Sequence, residues 1–154
     1  MKNKKETFRP KKGQVDYTHI RYAPVINCLL RYRGKILLMR RNKGLRFYPD
    51  CWNGVSGFLD DQKSVRGKVI EEIREELGMP AHTVRRITIG PIFHQESKRY
   101  KKTWIVHPIL VDMKTDMIKR IDWEARGFAW VEPKDIRKRK LLPGFSLVLS
   151  ALGF

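Results

Sequence analysis

The sequence predicts a single mixed α/β domain with a central sheet and helices on its faces. Short apolar runs bounded by turn residues recur along the chain, which is typical of strands. One segment, residues 64–77, instead carries its apolar side chains at helical spacing. The chain has 154 residues, 42% of them hydrophobic, and no internal repeat. This length and composition are those of one globular domain with one core.

Strands are predicted on both sides of a tight turn near the start of the domain. Residues 25–30 and 35–39 are apolar runs that flank Arg33 and Gly34, the pattern of two strands joined by a short turn. A loop rich in turn residues follows. Residues 52–58 then indicate a short strand that ends in a glycine turn.

The segment that follows is predicted to be a helix from Ser64 to Leu77. Gly78 and then Pro80 come directly after it, and both are stop signals for a helix. Its apolar positions recur on one side and form a stripe that faces the core: Val65, Val69, Ile70, Ile73 and Leu77.

The second half of the chain is predicted to add strands and two short helices. Residues 84–93 and 103–111 indicate two strands joined by a basic turn, and residues 128–131 indicate one more. Pro133 opens a short helix, and residues 143–152 form an apolar C-terminal helix. The order of these elements favours a mixed sheet with helices on its faces.

The formal net charge of +17 makes the surface attractive to polyanions. Residues 1–18 indicate a flexible basic arm, and residues 19–154 indicate one domain. Positive charge is concentrated at residues 2–12, 98–102 and 134–140. Each run alone is better explained by a solvated surface, but the three together favour an anionic partner such as RNA.

Other features place the chain among cytoplasmic proteins. No apolar run approaches the roughly 20 residues that span a bilayer, and no apolar segment follows the basic N-terminus to make a secretory signal. Cys28 and Cys51 are too few for a disulfide framework or a zinc cluster. The oligomeric state is not predicted by any pattern in the sequence.

Three glutamates stand beside the apolar stripe of the predicted helix. The i, i+3, i+4 spacing of Glu72, Glu75 and Glu76 places them on one side of consecutive turns, about 5 Å apart. They repel one another, and they lie in the half of the helix where the macrodipole disfavours anions. A divalent cation resolves this conflict, because Mg²⁺ takes clustered hard oxygen ligands. The alternative is a solvated acidic face, partly neutralised by Lys68 and Arg74.

Residues 57–79 read GFLDDQKSVRGKVIEEIREELGM, and this segment resembles the Nudix box. The matching positions carry the glycines, glutamates and aliphatic residues of the box at its spacing: Gly57, Glu72, Ile73, Glu75, Glu76, Gly78 and Met79. The resemblance implies a Nudix-like α/β/α sandwich with a central mixed sheet. It also implies hydrolysis of a diphosphate linkage in a nucleotide-like substrate.

Two positions depart from the box. Its first glutamate falls on Lys63 and its arginine falls on Glu71, so both charges are reversed. In the family those two residues pair and brace the loop against the helix. The reciprocal change favours the same bridge with its signs exchanged, and the alternative is a pair of independent substitutions in a decaying site.

The resemblance also implies how the site works. Glu72, Glu75 and Glu76, together with the backbone carbonyl of Gly57, are expected to hold Mg²⁺ or Mn²⁺. The metal would neutralise the diphosphate and acidify a water that attacks phosphorus. A base outside the box is expected, and Glu124 is the preferred candidate.

Further residues are candidates by position alone. Glu96 is a second candidate base, although an ordinary surface acid is the better explanation of it. Arg40 and Arg41 follow the second predicted strand and are candidates for phosphate binding. Trp52 is a candidate for stacking on a base. The alternatives are a solvated strand end for the arginines and core packing for the tryptophan.

Three functions remain open at this point. The preferred one is a metal-dependent hydrolase of a nucleoside diphosphate derivative. The second is the same chemistry on the 5′ end of RNA, with the three basic runs holding the strand. The third is a non-catalytic RNA- or ribosome-binding module that has kept the fold, and the charge reversals at Lys63 and Glu71 are its main support.

Overall fold

A computed structural model describes residues 9–154 of the chain. Within these residues, eight strands form one mixed sheet and two α-helices pack against it. The elements are β1 (Tyr22–Tyr32), β2 (Lys35–Arg41), β3 (Trp52–Asn53), β4 (Val55–Phe58), α1 (Val65–Leu77), β5 (Val84–Ile89), β6 (Phe93–Ser97), β7 (Lys102–Met113), β8 (Ala125–Val131) and α2 (Phe145–Ala151). Short 3₁₀ turns occupy Ala81–Thr83 and Pro133–Lys138. No helix in this part of the chain has the length and apolar character to cross a membrane.

The sheet is organised around β1 and β7, which pair in parallel over ten residues. Since β7 occupies one edge of β1, the strands β2 and β4 share the other edge. β2 pairs with the C-terminal end of β1, and β4 pairs with residues 25–28. β1 and β2 therefore pair with each other only near their turn. Further from the turn, β4, which contains Gly57, takes the place of β2 beside β1.

The predicted turn between the first two strands is confirmed. Arg33 and Gly34 join β1 to β2, with φ of 46° and 80°. Positive φ at both central residues gives a turn whose twist matches that of the flanking strands, and glycine adopts it at no steric cost.

The prediction of one strand over residues 84–93 is wrong, because two strands occupy this segment. β5 and β6 both pair antiparallel with β7, one after the other along the same edge. The interruption lies opposite Pro108, which has no N–H to donate to a ladder. Gly90 instead donates its N–H to the carbonyl of Pro108 at 2.8 Å.

Two layers of buried side chains lie on opposite faces of the sheet and confirm the α/β/α sandwich. On one face, Val69, Ile73 and Leu77 of α1 pack against even-numbered residues of β1. On the other face, Phe145 and Leu149 of α2 pack against odd-numbered ones. This alternation follows from the two-residue period of a strand.

The predicted limits of the helix are also confirmed. The Ser64 hydroxyl accepts a hydrogen bond from the N–H of Gly67 at 3.1 Å and so caps the N-terminus of α1. Gly78 ends the helix in the left-handed conformation, with φ of 64°, and its N–H donates to the carbonyl of Arg74.

The segment before β1 contacts the domain. Val15 donates its N–H to the carbonyl of Asp60 at 2.7 Å, and the ring of Tyr17 stacks on Phe58 at 5.7 Å. Lys102, buried in β7, donates to the carbonyl of Tyr17. The basic residues at positions 2, 4 and 5 lie outside the described residues, and the division of the chain at residue 18 stays a prediction.

Candidate active site

A cleft of about 1360 Å³ opens where β4 meets α1. One part of its lining is acidic: Asp60, Asp61, Glu71, Glu72, Glu75, Asp122 and Glu124. Another part is aromatic: Tyr17, Phe47, Tyr48, Phe58, Trp104 and Trp123. Such a cleft has ample room for a small molecule and offers both charged and flat apolar surfaces.

Glu72 lies directly against the backbone of Gly57. A Cβ atom on residue 57 would stand 2.5 Å from Oε1 of Glu72, which is closer than two such atoms can approach. Glycine is therefore the residue that allows the carboxylate to rest against β4. This contact brings together two of the residues that the box pattern selects.

The other two glutamates of the helix have different surroundings. Glu75 is exposed and lines the cleft, whereas Glu76 is buried, with 7% of its surface exposed. Burial raises the pKa of Glu76 well above its usual value, and the negative charges of Glu124 and Glu72 raise it further. The carboxylates of the helix thus range from exposed, at Glu75, to buried, at Glu76.

Burial also raises the pKa of Glu72, to about 8, although the positive charge of Lys68 opposes the shift. The charges of Glu124, Glu75 and Glu71 add to the increase. Such mutual repulsion among clustered carboxylates is the situation that a bound divalent cation relieves.

Glu124 reaches the glutamates of α1 from the loop before β8. Asp122 donates its N–H to the carbonyl of Glu76 at 3.1 Å, and Asn42 donates its N–H to the carbonyl of Glu124 at 2.8 Å. These bonds fix the loop across the end of the helix. Burial raises the pKa of Glu124, and the charge of Asp122 adds to this, while Arg41 opposes it.

The two residues with reversed charge lie side by side. Lys63 Nζ is 3.3 Å from Oε2 of Glu71 and 2.9 Å from Oδ2 of Asp61. Lys63 is half exposed, while the side chain of Glu71 retains 17% of its surface. The pair joins the loop after β4 to α1, which is the place of the family's bridge.

The remaining predicted residues are separated by the alternation of the strands. Arg41 lines the cleft, and its guanidinium donates to the carbonyls of Phe47 and Tyr48. Arg40 lies outside that lining and pairs with Asp50 at 3.2 Å. Trp52 is also outside the lining, with the guanidinium of Arg139 4.4 Å from its ring centre.

The same alternation separates Glu96 from the cleft. Gln95 lines the cleft, whereas Glu96 is exposed on β6 and does not. Because successive side chains of a strand point to opposite faces, this neighbour of a cleft residue faces away from it. Of the two candidate bases, the structure brings Glu124 alone to the glutamate helix.

Asp60 and Trp123 were not selected from the sequence as site residues, and Lys68 was named only as a neutralising charge on an acidic face. Lys68 and Asp60 form a buried ion pair at 2.9 Å beneath the glutamates. The sequence feature that pointed to this ion pair was a lysine on the inner side of the helix, but the pattern did not show that this lysine is buried. Trp123 lines the cleft with 61% of its surface exposed, and its position next to Glu124 was the available signal.

The residues present suit a divalent cation by their chemistry. Glu72, Glu75 and Glu76 supply hard carboxylate oxygens, and Glu72 lies against the backbone of Gly57. Within residues 9–154, no three acidic, histidine or cysteine side chains already converge as a finished ligand set.

Solved structures share this architecture. A NUDIX hydrolase from Nitrosomonas europaea aligns with a TM-score of 0.71 and 16% identity, covering 86% of this chain and 88% of that chain. A MutT NUDIX hydrolase from Burkholderia pseudomallei aligns with a TM-score of 0.70 and 18% identity, covering 86% and 98%. At these identities the likeness establishes the fold alone.

A third structure is that of a bifunctional NMN adenylyltransferase/ADP ribose pyrophosphatase from Francisella tularensis, complexed with AMP and a manganese ion. It aligns with a TM-score of 0.66 and 17% identity, covering 85% of this chain and 41% of that chain.

No curated protein sequence matches the chain. The model of the NUDIX domain, however, matches residues 21–150, which include every strand, α1 and most of α2. The chain therefore belongs to the Nudix family of pyrophosphohydrolases.

Proposed function

We propose that this enzyme is a metal-dependent hydrolase that cleaves the diphosphate linkage of a nucleoside diphosphate derivative in the cleft beside α1. The observation that carries the proposal is the contact of Glu72 with Gly57 in a cleft that Glu75 and Glu124 also line. A carboxylate cluster next to aromatic side chains offers one region for a metal-bound diphosphate and another for a base.

The proposed roles follow from position. Glu72, Glu75, Glu76 and the Gly57 carbonyl would hold Mg²⁺ or Mn²⁺. When bound, the cation would neutralise charge on the diphosphate and make an attacking water more acidic. The carboxylate of Glu124 would accept a proton from that water. Arg41 already donates to two carbonyls of the loop after β2 and would hold that wall of the cleft in place.

The aromatic side chains favour a nucleotide over an isolated diphosphate. The exposed ring of Trp123 stands next to Glu124, and the rings of Phe47 and Phe58 line the same cleft. A flat base gains stacking energy on such surfaces. The manganese and AMP present in the complex from Francisella tularensis support the same substrate class and cation.

The test is release of phosphate and nucleotide from a panel of nucleoside diphosphate derivatives and from 5′-triphosphate RNA, with Mg²⁺ or with EDTA. We expect metal-dependent turnover that falls at least about 100-fold in Glu72→Gln and Glu76→Gln. Glu96→Gln is the matched control, because its carboxylate is exposed and outside the cleft. Absence of turnover across the panel would favour the non-catalytic RNA- or ribosome-binding alternative.

One observation favours the 5′ end of RNA as a second candidate substrate. Arg9, Lys11 and Lys12 line the same cleft as Glu72 and could contact phosphates beyond the one cleaved. Lys11→Ala combined with Lys12→Ala is then expected to slow turnover of the RNA and to leave a small substrate unaffected. These substitutions are preferable to removing residues 1–18, because Tyr17 packs on Phe58.

A further inference from the structure

A second cleft, of about 820 Å³, lies at the C-terminal ends of β1 and β7 and shares no lining residue with the active-site cleft. We call it the basic cleft. Its charged lining consists of five cations and one carboxylate: Arg31, Arg33, Arg85, Arg86, Lys114 and Asp112. The basic runs that stand out in the sequence contribute nothing to it.

The parallel ladder accounts for part of this cluster. Arg31 of β1 lies opposite Asp112 of β7. Lys114 directly follows the last residue of β7 and lines the same cleft. Residues from distant parts of the chain therefore meet at one end of the sheet.

A β-bulge adds a further cation. The pairing of β5 with β7 shifts between Val84 and Arg86, so Arg85 is the extra residue. In a regular strand Arg85 and Arg86 would point to opposite faces, yet both line the basic cleft. Bulges re-aim side chains in this way.

The single carboxylate organises two of the arginines. Asp112 accepts a hydrogen bond from Nε of Arg31 at 2.7 Å, and its other oxygen accepts from Nε and Nη2 of Arg86 at 3.2 and 3.1 Å. Asp112 compensates one of these charges. Among residues 9–154, no carboxylate lies within ion-pair distance of Arg33, Arg85 or Lys114.

The position of Arg33 is fixed by the turn that carries it. It occupies the turn between β1 and β2 with φ of 46°, and its guanidinium lies 5.2 Å from the ring centre of Tyr32. Two guanidinium groups are thus held by Asp112 and one by an aromatic ring. Such preorganised groups lose little entropy when they bind an anion.

We propose that the basic cleft is a second anion site, which takes the phosphate groups of a polyanion away from the catalytic cleft. Planar guanidinium groups match phosphate oxygens with paired hydrogen bonds, and a volume of about 820 Å³ admits more than one phosphate. The phosphates come either from a single-stranded RNA or from free pyrophosphate. The site is independent of turnover and goes beyond the proposed function.

The test uses the full chain in EDTA, so that metal-dependent hydrolysis does not consume the probe. Binding of a fluorescein-labelled single-stranded RNA is followed by anisotropy at two salt concentrations, and binding of inorganic pyrophosphate by calorimetry. Arg85→Glu and Arg33→Glu are compared with Lys119→Glu. All three residues are exposed, each reversal changes the net charge equally, and Lys119 lines neither cleft.

We expect each charge reversal in the basic cleft to weaken RNA binding about tenfold. It should also reduce the dependence of the affinity on salt concentration by roughly the contribution of one phosphate contact. Lys119→Glu should leave both quantities unchanged. If pyrophosphate does not displace the bound RNA, the ligand is the RNA strand. If pyrophosphate does displace it, the ligand is free pyrophosphate. Equal effects of all three reversals, or no effect of Arg33→Glu and Arg85→Glu, would overturn the proposal. Thermal unfolding of each variant verifies that it is folded. Arg33→Glu also tests the basic cleft without changing the bulge at Arg85.

Discussion

Nζ of Lys68 lies 2.9 Å from Oδ1 of Asp60, and the two side chains retain only 5% and 9% of their exposed surface. The same ammonium is 3.6 Å from Glu71 and 3.9 Å from Glu72. Burial alone would lower the pKa of Lys68, but its hydrogen bond to Asp60 and the neighbouring carboxylates raise it above the ordinary value. Lys68 is thus the buried cation that joins the loop after β4 to the glutamate helix.

Removal of this cation is expected to cost far more stability than removal of a surface lysine. Lys68→Met should lower the free energy of unfolding by about 3 kcal/mol, because it leaves the buried Asp60 without its cationic partner. Urea denaturation measures this, with Lys63→Met as the exposed control. In the double variant Lys68→Met/Asp60→Asn, part of the loss should be recovered. A loss no larger than that of the control would contradict the structural role.

The pair with reversed charges is expected to be asymmetric. Lys63 is half exposed and its charge is screened by solvent, so Lys63→Ala should cost little stability. Glu71 also lies 3.6 Å from the buried Lys68, so Glu71→Ala should cost at least about 1 kcal/mol more. Denaturation of the two variants side by side gives the difference.

The same contact predicts how an exchange of the two residues behaves. Lys63→Glu combined with Glu71→Arg recreates the arrangement of the family but places a second cation beside Lys68. We expect the exchanged variant to be less stable than the natural chain. Full stability in that variant would show that Glu71 has no essential interaction with Lys68.

Gly57→Ala separates the catalytic arrangement from the fold. The added Cβ would displace the Glu72 carboxylate, whose flexible end can move without unfolding β4. Displacement of a reacting group by about 1 Å can cost on the order of 100-fold in rate, so we expect such a loss in kcat with little change in melting temperature. Gly127→Ala is the control, since nothing lies within 4 Å of its added atom. Turnover equal to that of the control would rule out a role for the Gly57–Glu72 contact.

Trp123→Ala tests whether the exposed ring next to Glu124 holds the base. Loss of one stacked base should raise KM about tenfold and leave kcat nearly unchanged, since the ring is not placed to join the chemistry. Phe128→Ala is the control, because Phe128 is also exposed but lies outside the cleft. A fall in kcat at constant KM would count against stacking.

Asp112 is expected to make stability depend on acidic pH. Burial alone would raise the pKa of Asp112, but the hydrogen bonds and charges of Arg31 and Arg86 outweigh it and hold the pKa below 3.8. The folded state therefore binds the proton less tightly than the unfolded state. The stabilisation is complete above the unfolded pKa and disappears as the pH falls through the folded one.

Asp112→Asn should accordingly lower the free energy of unfolding by about 1–2 kcal/mol at neutral pH, the usual effect of losing a charged hydrogen bond. The difference from the natural chain should shrink as the pH falls below 3.8. Urea denaturation across this range measures it, with the exposed Asp116→Asn as control. A difference that is constant with pH would show that the ion pairs do not stabilise the fold.

The sequence predicted best those features that short stretches of chain determine. Ser64 and Gly78 cap the helix through bonds to residues three or four positions away, and the turn at Gly34 depends on two residues. The break between β5 and β6 was missed because it depends on Pro108, which belongs to the opposite strand.

Candidate site residues followed the same rule. Glu72 was accessible to prediction because helical spacing fixes its neighbours. Arg40 and Arg41 are adjacent in sequence, and only the sheet shows which of them faces the cleft. The basic cleft could not be predicted from the sequence, because it depends on a bulge at Arg85 and on the register of β1 with β7.

The parallel pairing of β1 with β7 also dictates when the catalytic cleft can form. Every partner in this ladder stands 81 positions further along the chain, from Tyr22 with Thr103 to Arg31 with Asp112. Closing so long a loop is slow relative to forming a hairpin or a helix. The whole Nudix box is synthesised before β7, so a chain cut before residue 102 carries every glutamate of the box but lacks the strand that pairs with β1 beside them.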